Sequence, residues 1–254
     1  MTLDVPVAAL LAVALASIRA AAWLVISPPF DSKIIPTQVK ALLSVGFVLP
    51  IAPGLAGEVA GLGQAELFLS AAEQVLVGAA LGFVTSLLFA AFQAAGDLID
   101  LFGGLTLAFA FDPFSASQSS VFGRFYHLLA ITLLFATNGY QLVLRGFLAS
   151  YHAVPLSGVL SLAALGHVLT VGLAQMFLAA LQIAGPLVAV LFCADIALGL
   201  LNKVAPSLNA FALGFPIKIL LTLVLGGTAI LILPAAVRET VDQAVQAVLA
   251  VSGR

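Results

Sequence analysis

Six stretches of this chain are apolar for long enough to leave water behind: Val5 to Ile26, Ala41 to Ala56, Leu67 to Phe92, Phe125 to Ala149, Val168 to Leu201 and Phe211 to Val237. A helix needs about 20 predominantly apolar residues to cross the hydrocarbon core of a bilayer. Hydrophobic residues make up 63% of the chain and charged residues 8%, against roughly 45–50% and about 25% in soluble domains. A water-soluble fold of this composition would expose large apolar patches and aggregate. The fold class expected is therefore all-α integral membrane, with about six hydrophobic helices. Residues 1–254 read as a single polytopic membrane domain. The first basic residue, Arg19, follows the start of the first run rather than preceding it, so that segment is expected to stay as a membrane helix.

Two runs are irregular. Ala41 to Ala56 is short and contains Pro50 and Pro53, and Val168 to Leu201 is long and contains Gly185-Pro186. Proline removes a backbone donor and kinks a helix. The first is expected to be a partial or bent crossing, the second a broken helix or a helical hairpin. The stretch from Asp97 to Arg124 differs again, with Gly103-Gly104, the phenylalanines Phe102, Phe109, Phe111, Phe114 and Phe122, Asp112-Pro113 and a Ser/Gln run at Ser115 to Ser120. It is apolar without periodicity and reads as a Gly/Phe-rich loop over 97–124. Irregular backbone at membrane depth is tolerated only where protein covers it or a cavity hydrates it. Beyond the last run, Arg238 to Arg254 reads as a short amphipathic helix.

Charges inside apolar runs are costly unless paired or hydrated, which singles out Arg19, Asp195 and Lys218. Asp195, Gly199 and Asn202 share a helix face at spacings of four and three. Lys218 or Arg19 can partner Asp195, either as part of a proton or ion relay or as a pair fixing how helices dock. The second is favoured, because a relay needs several ionisable groups in file. Gln93, Asp97 and Asp100 form a polar stripe expected to face water or a partner, and Gly78 and Gly82 form a small-xxx-small pair of the kind that admits a second helix.

Catalytic arrangements are missing from the sequence. It has no Gly-x-Ser-x-Gly elbow, phosphate-cradling glycine loop or His-Glu-x-x-His, and His127, His152 and His167 lie far apart. The lone Cys193 forms neither an internal disulfide nor a metal cluster. No catalytic residue, cofactor or metal is expected. The 9 basic and 11 acidic residues are scattered singly, so nucleic acid is not an expected partner.

The punctuating residues resemble a known family. Arg19, Pro28-Pro29-Phe30, Pro36 with Lys40, and Pro50 are similar to the N-terminal signature of the FliR-type flagellar export proteins and their type III secretion relatives. Gly96-Asp97-Leu98-Ile99-Asp100, Gly103 and Asp112-Pro113 resemble that family's central stretch. Gln182-Ile183-Ala184-Gly185-Pro186, Asp195 with Gly199, Pro206 with Asn209 and Phe211, and Gly214 with Pro216 and Lys218 resemble its C-terminal half. Phe30-Asp31 departs from the Phe-Gly common in the family.

The resemblance implies a subunit of a hetero-oligomeric export gate in the bacterial inner membrane, at the flagellar basal body. Its helices would be kinked or form helical hairpins, packed with FliP-like and FliQ-like subunits beside FlhB-like and FlhA-like proteins. Unfolded export substrates would pass through in transit. It further implies that the loop holding Phe102, Gly103, Gly104, Phe109, Phe111, Asp112, Pro113 and Phe114 acts as a plug. Arg19, Pro28, Pro36, Lys40, Asp100, Pro186, Asp195, Gly199, Pro206, Asn209, Phe211, Pro216 and Lys218 would serve structure and assembly. Aromatic side chains suit such a plug, since a hydrophobic constriction holds back water and ions. The equivalent subunit of a virulence-type injectisome is the near alternative, and a small-molecule secondary transporter with broken helices the distant one.

Overall fold

The computed structural model of the chain describes residues 6–106, 120–158, 162–205, 210–229 and 233–240. Among these every regular element is helical. Proline and glycine set most of the boundaries. Helix α1, Val7–Ile26, begins after Pro6 and ends at Ser27, just before Pro28-Pro29, a cis pair. Helix α2, Thr37–Val48, begins after Pro36, and α3, Ala52–Val59, carries a proline in its first turn. Proline suits a first turn, where its missing N–H would be unpaired in any case. The two helices meet at 85°, so Ala41 to Ala56 is the bent element its prolines suggest.

Helix α4, Gln64–Gly103, runs 40 residues without a proline. It stops where Gly104 takes a φ of +79°, a left-handed conformation that glycine adopts without steric cost. The loop expected from residue 97 is therefore helical through Gly103, and helix resumes at Val121. Phe109, Phe111, Asp112, Pro113 and Phe114 lie outside the described residues.

The run from Phe125 to Ala149 is two helices, not one. Helix α5, Val121–Ala136, and α6, Gly139–Ala153, meet at 83° around Asn138, whose φ is +58°. Asparagine is among the few side chains that tolerate this conformation.

Helix α7, Leu162–Val204, continues through Pro186. This corrects the expectation of a break or hairpin. The proline removes one donor to the carbonyl four residues back, whereas unwinding a turn in an apolar setting would strand several backbone groups at several kcal/mol each. Helix α8, Ala210–Ala229, likewise contains Pro216, and residues 233–240 are helical. Among the described residues three helices are long and apolar enough to cross a membrane, or up to five if each bent pair counts as one span. Of the tail expected to be amphipathic, residues 241–254 fall outside the described residues.

The described residues form two compact units, one from the chain before Leu88 together with Tyr140–Leu173, the other from Leu88–Gly139 and Ala174 onward. The first has a core of Ala12, Leu15, Ala16, Ala20, Trp23 and Leu24 of α1 against Val48, Ala52, Leu55 and Val59 of the bent pair and Phe147 and Tyr151 of α6. Trp23 stacks on Phe147 with ring centroids 4.5 Å apart. Helix α4 reaches this core through Gly78 and Gly82, where a Cβ would come 2.8 Å from Ala22 Cβ and 2.9 Å from Ile26 Cβ. The small-xxx-small pair is thus the crossing point of α1 and α4.

In the second unit Gly96 of α4 lies against the backbone of Phe122 and Gly123, where a Cβ would overlap the Phe122 carbonyl. A Cβ on Gly103 would come 2.6 Å from Thr222 Oγ1 of α8, and one on Gly226 of α8 would meet the Phe122 ring. Gly96 thus lets α4 approach the start of α5 backbone to backbone, while Gly103 and Gly226 make room for the side chains of Thr222 and Phe122.

Candidate functional site

Three polar centres interrupt the apolar packing, each inside one unit. The first surrounds Arg19, which is fully buried on α1. Its Nε donates to Gln74 Oε1 at 2.6 Å. One terminal nitrogen donates to the Ser150 carbonyl at 2.9 Å and to Ser150 Oγ at 3.4 Å, the other to the Val154 carbonyl at 2.7 Å. The guanidinium lies 4.4 Å from the centre of the Tyr151 ring. The Ser150 carbonyl, which also accepts the Val154 N–H at 2.9 Å, and the Val154 carbonyl lie at the end of α6, where the helix dipole is negative. A cation there is balanced by dipole, lone pairs and π-face, without a carboxylate in direct contact among the described residues.

The centre extends outward through neighbouring groups. Tyr151 donates its hydroxyl proton to the Ala16 carbonyl at 2.7 Å, Gln74 Nε2 donates to the Leu156 carbonyl at 3.3 Å, and the Leu156 N–H donates to Glu58 Oε2 at 2.7 Å. Five elements are joined: α1, α3, α4, α6 and the turn after α6. The sequence singled out Arg19 but not Gln74, Ser150, Tyr151 or Glu58. A lone amide inside the run from Leu67 to Phe92 was the available signal for Gln74.

The second centre joins the end of α4 to the start of α5. Asp100 is fully buried, so it leaves the stripe expected with Gln93 and Asp97, which are exposed. Asp100 Oδ2 accepts the Ser120 hydroxyl proton and the Phe122 N–H at 3.0 Å. Ser120 Oγ in turn accepts the Gly123 N–H at 2.8 Å and caps α5. A carboxylate at a helix N-terminus meets unpaired N–H groups and the positive end of the dipole. Asp100 Oδ1 is buried without a hydrogen-bond partner among the described residues. Ser120 was missed as an individual residue, although a serine directly before an apolar run is an N-cap signature.

The third centre is an ion pair, Lys218 Nζ to Asp195 Oδ1 at 2.7 Å, joining α8 to α7. The Lys218 side chain is 16% exposed and that of Asp195 43%. Of the two cations the sequence offered to Asp195, Lys218 is its partner and Arg19 caps α6 instead. Gly199 and Asn202, one and two turns along α7, are exposed, and nothing approaches within 4 Å of a Cβ built on Gly199. Among the described residues nothing therefore packs closely on Gly199.

The other expected residues are dispersed. Pro28 is buried before the cis bond, Pro36 caps α2, and Lys40 is buried on α2. Phe102 is half-buried on α4, and Pro186 and Pro216 are exposed on their helices. Gly104 faces the Phe215 ring at 3.7 Å from a built Cβ. Pro206, Asn209 and the Phe211 side chain lie outside the described residues. Among the described residues no three His, Cys, Asp or Glu side chains gather as a metal site.

What these centres have in common is that each ties helices together at depth. The profile of the family described as bacterial export proteins, family 1, matches residues 10–244. The chain is 34% identical over 203 residues to the flagellar biosynthetic protein FliR of Escherichia coli K12, covering 80% of this chain and 77% of that one. It is 32% identical over 219 residues to the FliR protein of Pectobacterium carotovorum, covering 85% and 83%. It is also 31% identical over 151 residues to the surface presentation of antigens protein SpaR of Shigella flexneri, covering 59% and 58%.

Proposed function

This chain belongs to the bacterial export proteins, family 1, and from that premise we propose that it is a subunit of the flagellar type III protein export gate, required for flagellar protein export and flagellum assembly. The observation that carries this is the similarity to flagellar biosynthetic proteins over four-fifths of its length. It works as a channel component rather than as an enzyme: motion, not bond-making, is its mechanism. Its place is the bacterial inner membrane at the flagellar basal body, beside FliP-like and FliQ-like subunits and FlhB-like and FlhA-like proteins, with unfolded substrates in transit.

Long apolar surfaces support such an assembly. Phe68, Phe177, Leu181, Phe192 and Leu220 are all exposed, and Asp195 keeps nearly half its side chain uncovered inside an apolar helix. Lipid suits the former and penalises the latter, which favours a neighbouring protein surface around α7. The segment from Phe102 to Phe114 is assigned the closing role, with Phe109, Phe111 and Phe114 forming a hydrophobic constriction that yields to an extended polypeptide. The similarity to SpaR keeps the corresponding injectisome subunit as a second reading, with the same physics and a different cargo. Family membership takes the place of the solute-transporter reading.

The test is a pull-down of the tagged full chain in mild detergent, followed by identification of the proteins retained. Two small hydrophobic export proteins in stoichiometric yield are expected. Recovery of the chain as a stable monomer with no companion would overturn the proposal.

A further inference from the structure

Lys40 is a buried cation without a counterpart. It stands in the first turn of α2 and is only 9% exposed, yet among the described residues it makes no hydrogen bond and no ion pair. From this and from the geometry of the helix start, we infer that the N-terminus of α2 holds the phosphate of an anionic phospholipid, at a site separate from the three polar centres.

Helix α2 starts without a side-chain cap, and the Val39 and Lys40 N–H groups both turn to the Pro36 carbonyl, at 3.0 and 3.3 Å. The Thr37 and Gln38 N–H groups are left without an acceptor among the described residues. They stand at the positive end of the helix dipole, an arrangement that suits a phosphate. Side chains on a helix lean toward its N-terminus over the preceding turn, so Lys40 leans back over Pro36 and Thr37. Pro36, Thr37 and Gln38 are exposed, which keeps the helix start open to a ligand while the lysine stem is covered. An unpaired charge among apolar side chains is costly, and a phosphate at this point offsets that cost.

The surroundings favour a lipid over free phosphate. Helix α1 is long and apolar enough to cross a membrane and ends at Ile26, so the turn after it lies at the depth of headgroups. In that turn Ile34 is 89% exposed beside the exposed Lys33, an apolar side chain and a cation that together suit a headgroup layer. Asp31, also exposed, is the one acid between Ser27 and Lys40; it opposes an anion, but two lysines and the helix end outweigh it. Val39, Leu42, Val45 and Leu49 form an exposed apolar stripe along α2, where acyl chains can lie. The stripe is opposite the buried face of Lys40, Ser44 and Val48, and the two faces converge at the helix start, where the phosphate sits.

The full chain, with the companions it retains, is purified in dodecyl maltoside and titrated with phosphatidylglycerol, phosphatidylcholine or inorganic phosphate, and bound lipid is counted by native mass spectrometry. The tightest site is expected to prefer phosphatidylglycerol to phosphatidylcholine by roughly tenfold, since a choline cation is repelled by the two lysines. Lys40→Gln should weaken phosphatidylglycerol binding by roughly fivefold or more, and Lys40→Arg should keep it within about twofold. Thr37→Pro removes one N–H donor at a position where proline is well tolerated, because Pro36 already has an extended ψ of 146°; it should weaken binding by roughly threefold. A lysine that only packs against α1 would lower stability in Lys40→Gln and leave lipid binding unchanged, and that result overturns the inference. Equal binding of the two lipids overturns it as well, and displacement of phosphatidylglycerol by millimolar inorganic phosphate overturns the assignment to a lipid. Should Lys40→Gln fail to accumulate, Thr37→Pro decides: unchanged phosphatidylglycerol binding in that variant overturns the site.

Discussion

Arg19 of α1 closes the end of α6 by donating to the carbonyls of Ser150 and Val154 at 2.9 and 2.7 Å. One side chain therefore does what a run of capping residues does elsewhere, and it does so from a different helix. Lysine carries the same charge but presents no planar fork and stacks poorly on Tyr151. Arg19→Lys is expected to cost about 2–4 kcal/mol, read as a lower midpoint of thermal unfolding in detergent and a reduced amount of protein in the membrane. A lysine variant with unchanged midpoint and abundance would show that charge alone is what α6 requires.

The glycine crossings make a sharper test of packing. Gly78→Ala and Gly96→Ala place a methyl group against backbone and Cβ atoms of the facing helix, and each is expected to destabilise by about 1–3 kcal/mol. Gly46→Ala, on α2 with nothing within 4 Å of the added carbon, should instead stabilise by roughly 0.5–1 kcal/mol through helix propensity. Thermal unfolding of the three variants side by side separates the effects, and equal shifts would mean that α1, α4 and α5 are not in contact at these points.

Asp195 and Lys218 should behave as a docking pair. Alanine at either position leaves a charge without its partner in an apolar setting, at a cost of about 3 kcal/mol or less because Asp195 is partly exposed. The expected outcome for Asp195→Ala is lost assembly, with normal transport in whatever complex forms. Exchanging the two residues, Asp195→Lys with Lys218→Asp, should recover much of the assembly. Normal assembly with motility lost in Asp195→Ala would point instead to an ion relay.

Asn138 is held at a φ of +58° between α5 and α6. A β-branched side chain in that conformation costs of order 1–3 kcal/mol, so Asn138→Val should lower the unfolding midpoint while Asn138→Gly leaves it within a few degrees. Equal tolerance of both would mean the bend is placed elsewhere.

Hydropathy located the helices because an apolar run must be helical in lipid whatever its neighbours do. It located their breaks less well. Asn138-Gly139 is a turn signal, and with Thr137, Tyr140 and Gln141 it makes a short polar dip that the long apolar stretches on either side outweigh when the run is read as one. Pro186 misleads in the other direction, since a single missing donor is weak beside the cohesion of a long apolar helix. Charges inside apolar runs pointed to Asp195 and Lys218, and helical spacing to Asp100, while the hydrogen-bond partners of Arg19 come from segments up to 135 residues away, a distance over which no local pattern operates. Asp100 illustrates the limit of helical arithmetic. It lies within about 20° of Gln93 on an ideal helix, close enough to share a stripe, and only the arrival of α5 decides that one is covered and the other is not.

Helix α4 has 40 residues and α7 has 43, which at about 1.5 Å per residue is roughly 60 Å or more each, twice the depth of a typical hydrocarbon core of about 30 Å. Neither helix can be housed by a bilayer upright along its whole length. Insertion of the newly made chain is then an unfinished state, with greasy ends awaiting shelter, and the order in which companions arrive becomes part of how this molecule reaches its working form. A cell that makes this chain in excess of its companions should therefore be seen to degrade the surplus.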